Sequence, residues 1–267
     1  MKIGIFDSGL GGLVITHSLI QDLPQYDYLY LGDTARVPYG NRSSDIIYQF
    51  TREAVDYLFR QDCALIIIAC NTASAEALRR IQQEYLPANY PDRRVLGVLI
   101  PAAEEAAAKS VSGRIGVLAT QATIESNAFV REVRKVRPSA QIVQQAAPLL
   151  VPLIECDALQ FAGPILDWYL DPLEDSGIDS LILGCTHYPL LREQIEESVG
   201  PAMRVIDQRD FVPEKLRDYL HRHPEMEVRL SKDHGRTFQL TDRTSTACAL
   251  AHRLFGHEIV LELVPTL

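Results

Sequence analysis

The feature that most constrains this chain is a regular alternation between short apolar, β-branched runs and stretches patterned as amphipathic helices. The runs lie at 3–6, 28–31, 65–69, 95–100, 115–119, 181–183 and 204–206, with helical patterns at 43–60, 74–86, 124–136, 158–170 and 189–199 between them. Such alternation predicts an α/β fold, doubly wound, with mainly parallel sheets and helices on both faces. The 267 residues suffice for one large domain or two compact ones. The stretch 86–94, LPANYPDRR, reads as a connection between two units, which puts a boundary near residue 95. Beyond residue 206 the pattern turns irregular: 221–225 is turn-like, and 228–230 with 237–240 is hairpin-like.

In doubly wound sheets ligands bind beyond the carboxyl ends of the strands, where loops and helix N-termini supply backbone donors. Four polar segments follow apolar runs directly: Asp7-Ser8-Gly9, Gly32-Asp33-Thr34, Cys70-Asn71-Thr72 and Cys185-Thr186-His187. Asp-Ser-Gly-Leu-Gly-Gly lacks a dinucleotide-binding spacing, because position 14 is Val14, and no Gly-Lys-Ser/Thr loop exists. Its glycines either let the backbone approach a small anion or make a tight turn.

A formal charge of −9 argues against nucleic acid as a main partner, and the run Arg131, Arg134, Lys135, Arg137 reads as a solvated helix face. The longest apolar run, 64–69, is far too short to cross a bilayer, and MKIGIFDSG lacks the h-region of a signal peptide, so a cytoplasmic protein without membrane contact is expected. The seven histidines show no metal-ligand spacing. Five scattered cysteines without a Cys-x-x-Cys pair point to free thiols rather than a disulfide framework. Packing accounts for Cys63 and Cys248 and is the favoured reading of Cys156.

Cys70 and Cys185 are different. ALIIIACNTASAEAL and SLILGCTHYPLLREQI follow one plan: an apolar strand, a cysteine, polar donors, then a helix. A thiol at a strand-to-helix junction lies near the positive end of the helix dipole, which favours thiolate. Asn71, Thr72, Thr186 and His187 add donors for a carboxylate or a developing oxyanion. Two thiols in equivalent settings suit a reaction that is symmetric about its substrate. In racemisation one sulfur takes the α-proton as thiolate, the other delivers a proton to the opposite face as thiol, and the roles exchange in reverse. A pyridoxal cofactor would need a pocket lysine, and all five lysines sit in polar or helix-surface contexts, so a cofactor-free mechanism is expected.

At these residues a family resemblance becomes specific. IGIFDSGLGGL, LGDTARVPYG, IACNTASA, GVLATQATIES and LGCTHYPLL resemble the signature blocks of glutamate racemase, in family order from residue 3 to about 191. The resemblance implies two similar α/β domains facing each other across a cleft, 1–95 plus 207–267 carrying Cys70 and 96–206 carrying Cys185. It implies that these cysteines are the acid/base pair acting on L- and D-glutamate. Asp7, Ser8, Tyr39, Gly40, Asn71, Thr72, Thr186 and His187 match the substrate-binding set, with Thr120 and Thr123 as further candidates. Asp7, Glu155 and His187 match residues that assist the thiols, and Asp7 is a candidate partner for the substrate ammonium. The product would be D-glutamate for peptidoglycan. A homodimer is the expected assembly, and a cell-wall precursor is a candidate activator. Two departures, Ala147 where cysteine is frequent and Gln208 where serine is frequent, bear on fine substrate contacts or regulation.

Three alternatives stay open at this level. The same chemistry could act on aspartate or another acidic amino acid. A cysteine-nucleophile hydrolase would leave the second thiol unexplained. An anion-binding or thiol-sensing module would bind without exchanging an α-hydrogen.

Overall fold

The computed structural model describes residues 1–265 and 267. Among the described residues ten strands form two parallel sheets. The first, in the order β10-β9-β2-β1-β3-β4, combines Lys2–Asp7 (β1), Tyr28–Gly32 (β2), Cys63–Ile68 (β3) and Arg94–Gly97 (β4) with Arg236–Leu240 (β9) and Leu261–Leu263 (β10). The second, in the order β6-β5-β7-β8, contains Arg114–Ala119 (β5), Gln141–Ala146 (β6), Ser180–Gly184 (β7) and Arg204–Ile206 (β8). Helices cover the faces, so β2, β3 and β7 are buried along their whole length. Strands covered on both faces read as continuous apolar runs, which is why they were legible.

The register decides what meets at the strand ends. Asp7 pairs with Gly32 and Phe6 with Ile68, so Asp7, Asp33 and the segment that leads to Cys70 emerge along one edge of the first sheet. Ala119 pairs with Gly184 in the second sheet, so Thr120 and Cys185 emerge side by side.

Several expectations need correction. Residues 228–230 are a turn, not a strand. Arg236–Leu240 runs parallel to both β2 and β10, which excludes a hairpin. The helix Ser245–Phe255 carries the chain back across the sheet, as parallel neighbours require. The run 95–100 stops at Gly97, because Leu99 opens the helix Leu99–Lys109 with Pro101 in its first turn. The stretch 86–94 contains the short helix Leu86–Asn89 and then enters β4 of the same sheet as β3. The pattern 124–136 is two helices, Gln121–Glu125 and Ala128–Val136, broken at Asn127 with φ 53°. Among the described residues no helix is long and apolar enough to cross a membrane.

Candidate active site

The two polar strand edges enclose a cavity of about 290 Å³, lined by Ser8, Cys70, Asn71 and Thr72 from one side and by Thr120, Cys185, Thr186 and His187 from the other. That volume sits at the small end of the range for ligand sites and suits a single small metabolite. Tyr39, Gly40, Glu155 and Cys156 are also among the lining residues.

Cys70 follows β3 and caps the six-residue helix Asn71–Glu76, its Sγ accepting from Ala73 N at 3.4 Å. Ser8 Oγ lies 3.2 Å from the same sulfur. The dipole argument alone favours thiolate here, but the opposite holds: burial above all, with Asp7 adding its charge, pushes the Cys70 thiol up to about 12 against the hydrogen bonds from Ser8 and Ala73. One short helix does not offset complete desolvation beside a carboxylate.

Cys185 follows β7, but its setting is not a copy of the first. A 3-10 turn, Tyr188–Leu191, separates it from the helix Arg192–Val199, so it does not cap an α-helix. What it has instead is His187, whose Nδ1 stands 3.8 Å from Cys185 Sγ. On the other side of the ring, Nε2 lies 3.1 Å from Glu155 Oε1, close enough for charge pairing although the N–H is not well aligned with the oxygen. Burial disfavours the imidazolium, yet the Cys185 and Glu155 partners outweigh it and push His187 up to about 10. Glu155 ends the helix Leu150–Glu155 and keeps 38% of its side chain exposed, at the cavity rim.

Asp7 does not reach the cavity. Its fully buried carboxylate accepts from Gly9 N at 2.9 Å and Thr186 Oγ1 at 3.3 Å, behind the wall formed by Ser8 and Gly9. Burial raises its pKa despite nearby His187 and these bonds. Thr123 is also held back: with Thr72 and Thr120 it closes a triangle of hydroxyls at 2.9, 3.3 and 2.9 Å, which joins the two sheet edges. The Tyr39 hydroxyl is turned onto buried Asp33 at 2.5 Å, while Gly40 O accepts from Ala122 N at 3.0 Å. The single Tyr39 hydroxyl hydrogen is therefore given to Asp33 and not to a ligand.

Among the glycines after Asp7, Gly9 closes a turn onto the Asp7 carboxylate and lines the cavity, whereas Gly11 and Gly12 answer to close packing. A Cβ on Gly11 would stand 2.3 Å from Thr186 Oγ1 and 2.7 Å from His187 Nδ1, and one on Gly12 would stand 2.6 Å from Asp7 Cβ. Gly11 lets the loop carrying Cys185 dock against the first sheet's edge, and Gly12 lets its helix pack onto Asp7 and Ala69.

Sequence reasoning missed three supports. Arg36 Nε and Thr241 Oγ1 donate to Asp33, at 2.6 and 2.9 Å, and so hold the partner of Tyr39. Gln208, noted only as a departure, forms a buried amide pair with Asn71. Cys156, read as packing, is exposed at the cavity rim. Cys63 is buried in β3, and Cys248 is half-buried on the helix Ser245–Phe255, as packing residues would be. Among the described residues no group of three or more His, Cys, Asp or Glu could hold a metal ion.

Comparison with known proteins places this geometry in a family. The Asp/Glu/Hydantoin racemase family model matches residues 14–211. Glutamate racemase of Aquifex aeolicus is 37% identical over 261 residues, covering 97% of this chain and 96% of its own. Among solved structures, a glutamate racemase isoform from Bacillus anthracis matches with a TM-score of 0.89 at 30% identity, covering 98% of this chain and 97% of its own. The Francisella tularensis glutamate racemase, solved in complex with D-glutamate, matches with a TM-score of 0.88 at 31% identity over 99% of this chain and 97% of its own. With its full-length relatives, two parallel-sheet halves and paired cysteines, the chain belongs to the glutamate racemase family of isomerases.

Proposed function

We propose that this chain interconverts L- and D-glutamate without a cofactor, using Cys70 and Cys185 as acid and base on opposite faces of the α-carbon. The observation that carries the reading is that two sulfurs from two different sheets line one small cavity, each with its own proton economy. Cys70, beside Ser8 and pushed up to about 12, is the thiol of the resting site. Cys185, whose sulfur stands 3.8 Å from His187 Nδ1, is assigned the role of base, with a cationic imidazole placed to stabilise charge on it.

In one direction the Cys185 thiolate takes the α-proton and the electron pair moves onto the α-carbon and its carboxylate, while the Cys70 S–H gives its proton to the other face. The site is left with Cys185 as thiol and Cys70 as thiolate, the form that processes the opposite enantiomer. The hydroxyls of Ser8 and Thr72 are the donors for the α-carboxylate, whose charge grows as the carbanion forms, the amide of Asn71 is a donor to a substrate carboxylate, and the Thr186 hydroxyl gives its hydrogen to Asp7. Asp7 acts from behind the wall: its charge raises the proton affinity of Cys70, and its bond with Thr186 steadies the Cys185 loop. The two units that close on the substrate and keep the carbanion from bulk water are the ones built on the two sheets, the first boundary falling after Gly97 rather than near 95, because β4 belongs to the first sheet. The proposal extends to D-glutamate supply for peptidoglycan, a homodimer and activation by a cell-wall precursor, none of which the carrying observation needs.

The test is circular dichroism of L-glutamate and, separately, D-glutamate incubated with purified protein and reducing agent alone. Decay of both signals to zero is the expected result. Decay with aspartate and not with glutamate would move the substrate assignment to aspartate. No change with any acidic amino acid, a cell-wall precursor being supplied, would overturn the racemase reading in favour of a hydrolase or binding module.

A further inference from the structure

Gln208 lies in the segment that carries the chain from β8 of the second sheet to the helix Val212–Arg222, which packs against the helix Gly12–Asp22 of the first unit. This crossing is anchored on the side of the second sheet: buried Asp207 accepts from Arg209 Nη2 at 2.5 Å and pairs with Arg192 at 3.5 Å. From the crossing, the Gln208 side chain reaches Asn71, the residue after Cys70. Asn71 Nδ2 donates to Gln208 Oε1 at 3.0 Å, and Gln208 Nε2 donates back to Asn71 Oδ1 at 2.6 Å. Both residues are buried, with exposures of 2% and 3%, and of the two only Asn71 lines the cavity.

The pairing decides what Asn71 can offer a ligand. A primary amide has one acceptor oxygen and two N–H donors. The reciprocal pair engages the oxygen and one N–H whichever way round the two amides sit, so the hydrogen left to donate is that of the second N–H. Hydrogen bonding on the other atoms of the amide also polarises that N–H. A serine hydroxyl at 208 would end two bonds nearer the backbone, so it does not reproduce this two-atom pairing.

We propose that Gln208 is a positioning residue for this reaction: through Asn71 it presents the cavity with a donor and no competing acceptor, matched to a carboxylate of the substrate. The proposal rests on the reading of this cavity as the racemisation site. Gln208 touches no reacting atom, and its contribution is to substrate affinity in ground state and transition state alike.

The experiment is steady-state racemisation of glutamate by the wild type, Gln208→Met, Gln208→Glu, Asn71→Ala and the double variant Asn71→Ala with Gln208→Met. Methionine keeps the length and loses both hydrogen bonds. It is expected to raise KM about tenfold with kcat within about threefold of wild type, the signature of lost uniform binding. Glutamate at 208 cannot donate to Asn71 Oδ1 and adds a negative charge, so its KM is expected to rise further. In the Asn71→Ala background Gln208→Met is expected to add less than about a twofold change, because its route of action is already gone. If Gln208→Met does not fold, Gln208→Ala, which also loses both hydrogen bonds and adds no charge, is expected to give a KM between those of wild type and Gln208→Glu.

The proposal is overturned if KM is unchanged while only Tm falls, if the two single losses multiply in the double variant, or if Asn71→Ala leaves KM as it is. A wild type that racemises no acidic amino acid is a different result: the reading of the site falls, and this proposal falls with it.

Discussion

Serine in place of Cys70 or of Cys185 is expected to slow racemisation of both enantiomers by about three orders of magnitude or more, since a hydroxyl is neither a ready anion near neutral pH nor a comparable acid. Both losses are expected because each turnover uses both sulfurs, one as base and one as acid. The two variants should nevertheless differ in what they retain. Each keeps one thiol on one face of the cavity, so each can remove and return the α-hydrogen of only one enantiomer. Slow deuterium uptake without inversion is therefore expected from opposite enantiomers in the two variants, measured by mass spectrometry beside the dichroism. One dispensable cysteine would instead favour a single nucleophile, as in a hydrolase.

His187→Asn is expected to lower kcat/KM by about a hundredfold, the order associated with a well-placed proton-transfer partner. The two enantiomers have equal free energy in water, so kcat/KM must fall equally in both directions, whereas kcat and KM separately need not. The pH profile carries the sharper signature. His187 is lifted from 6.5 to about 10 by Cys185 and Glu155 acting against burial. A raised folded value means that its contribution to stability is fully present below the unfolded value and is lost as pH climbs through about 10. Activity that depends on the imidazolium should decline over the same upper range. Glu155→Gln removes one of the two groups that raise His187, so the alkaline limb of kcat/KM should move to lower pH. A limb that stays in place would show that Glu155 does not act through His187.

The sequence revealed the strands that helices cover on both faces, because complete burial writes itself as an apolar run: Cys63–Ile68 and Ser180–Gly184 are the clearest. It hid Gln141–Ala146, an edge strand of the second sheet with an exposed first residue and half-buried others, whose glutamines carry no β signal. It also hid Leu261–Leu263, the three-residue strand at the other edge of the first sheet. The helix Asn71–Glu76 began three residues before the expected start at 74, because Asn71 and Thr72 read as site residues and were also its first turn. Cys70, Cys185 and the polar residues beside them were legible because the segments that line the cavity sit directly after the strands. The roles of Asp7 and Tyr39 were less so: burial behind Ser8 and the bond to Asp33 are tertiary facts, invisible in a motif that names only the residue type. The same holds for the proton on Cys70, where local helix geometry argues one way and the depth of the site the other.

The central claim is that two separate groups exchange protons with the two faces of one carbon. Its most direct test follows the α-hydrogen in heavy water at low conversion, starting from each enantiomer in turn. Two thiols on opposite faces are expected to give product that is deuterated from the first turnovers, while the remaining starting enantiomer stays protiated. Deuterium appearing in the starting enantiomer ahead of inversion, or product that retains its original α-hydrogen, would mean that one group serves both faces and would contradict the account.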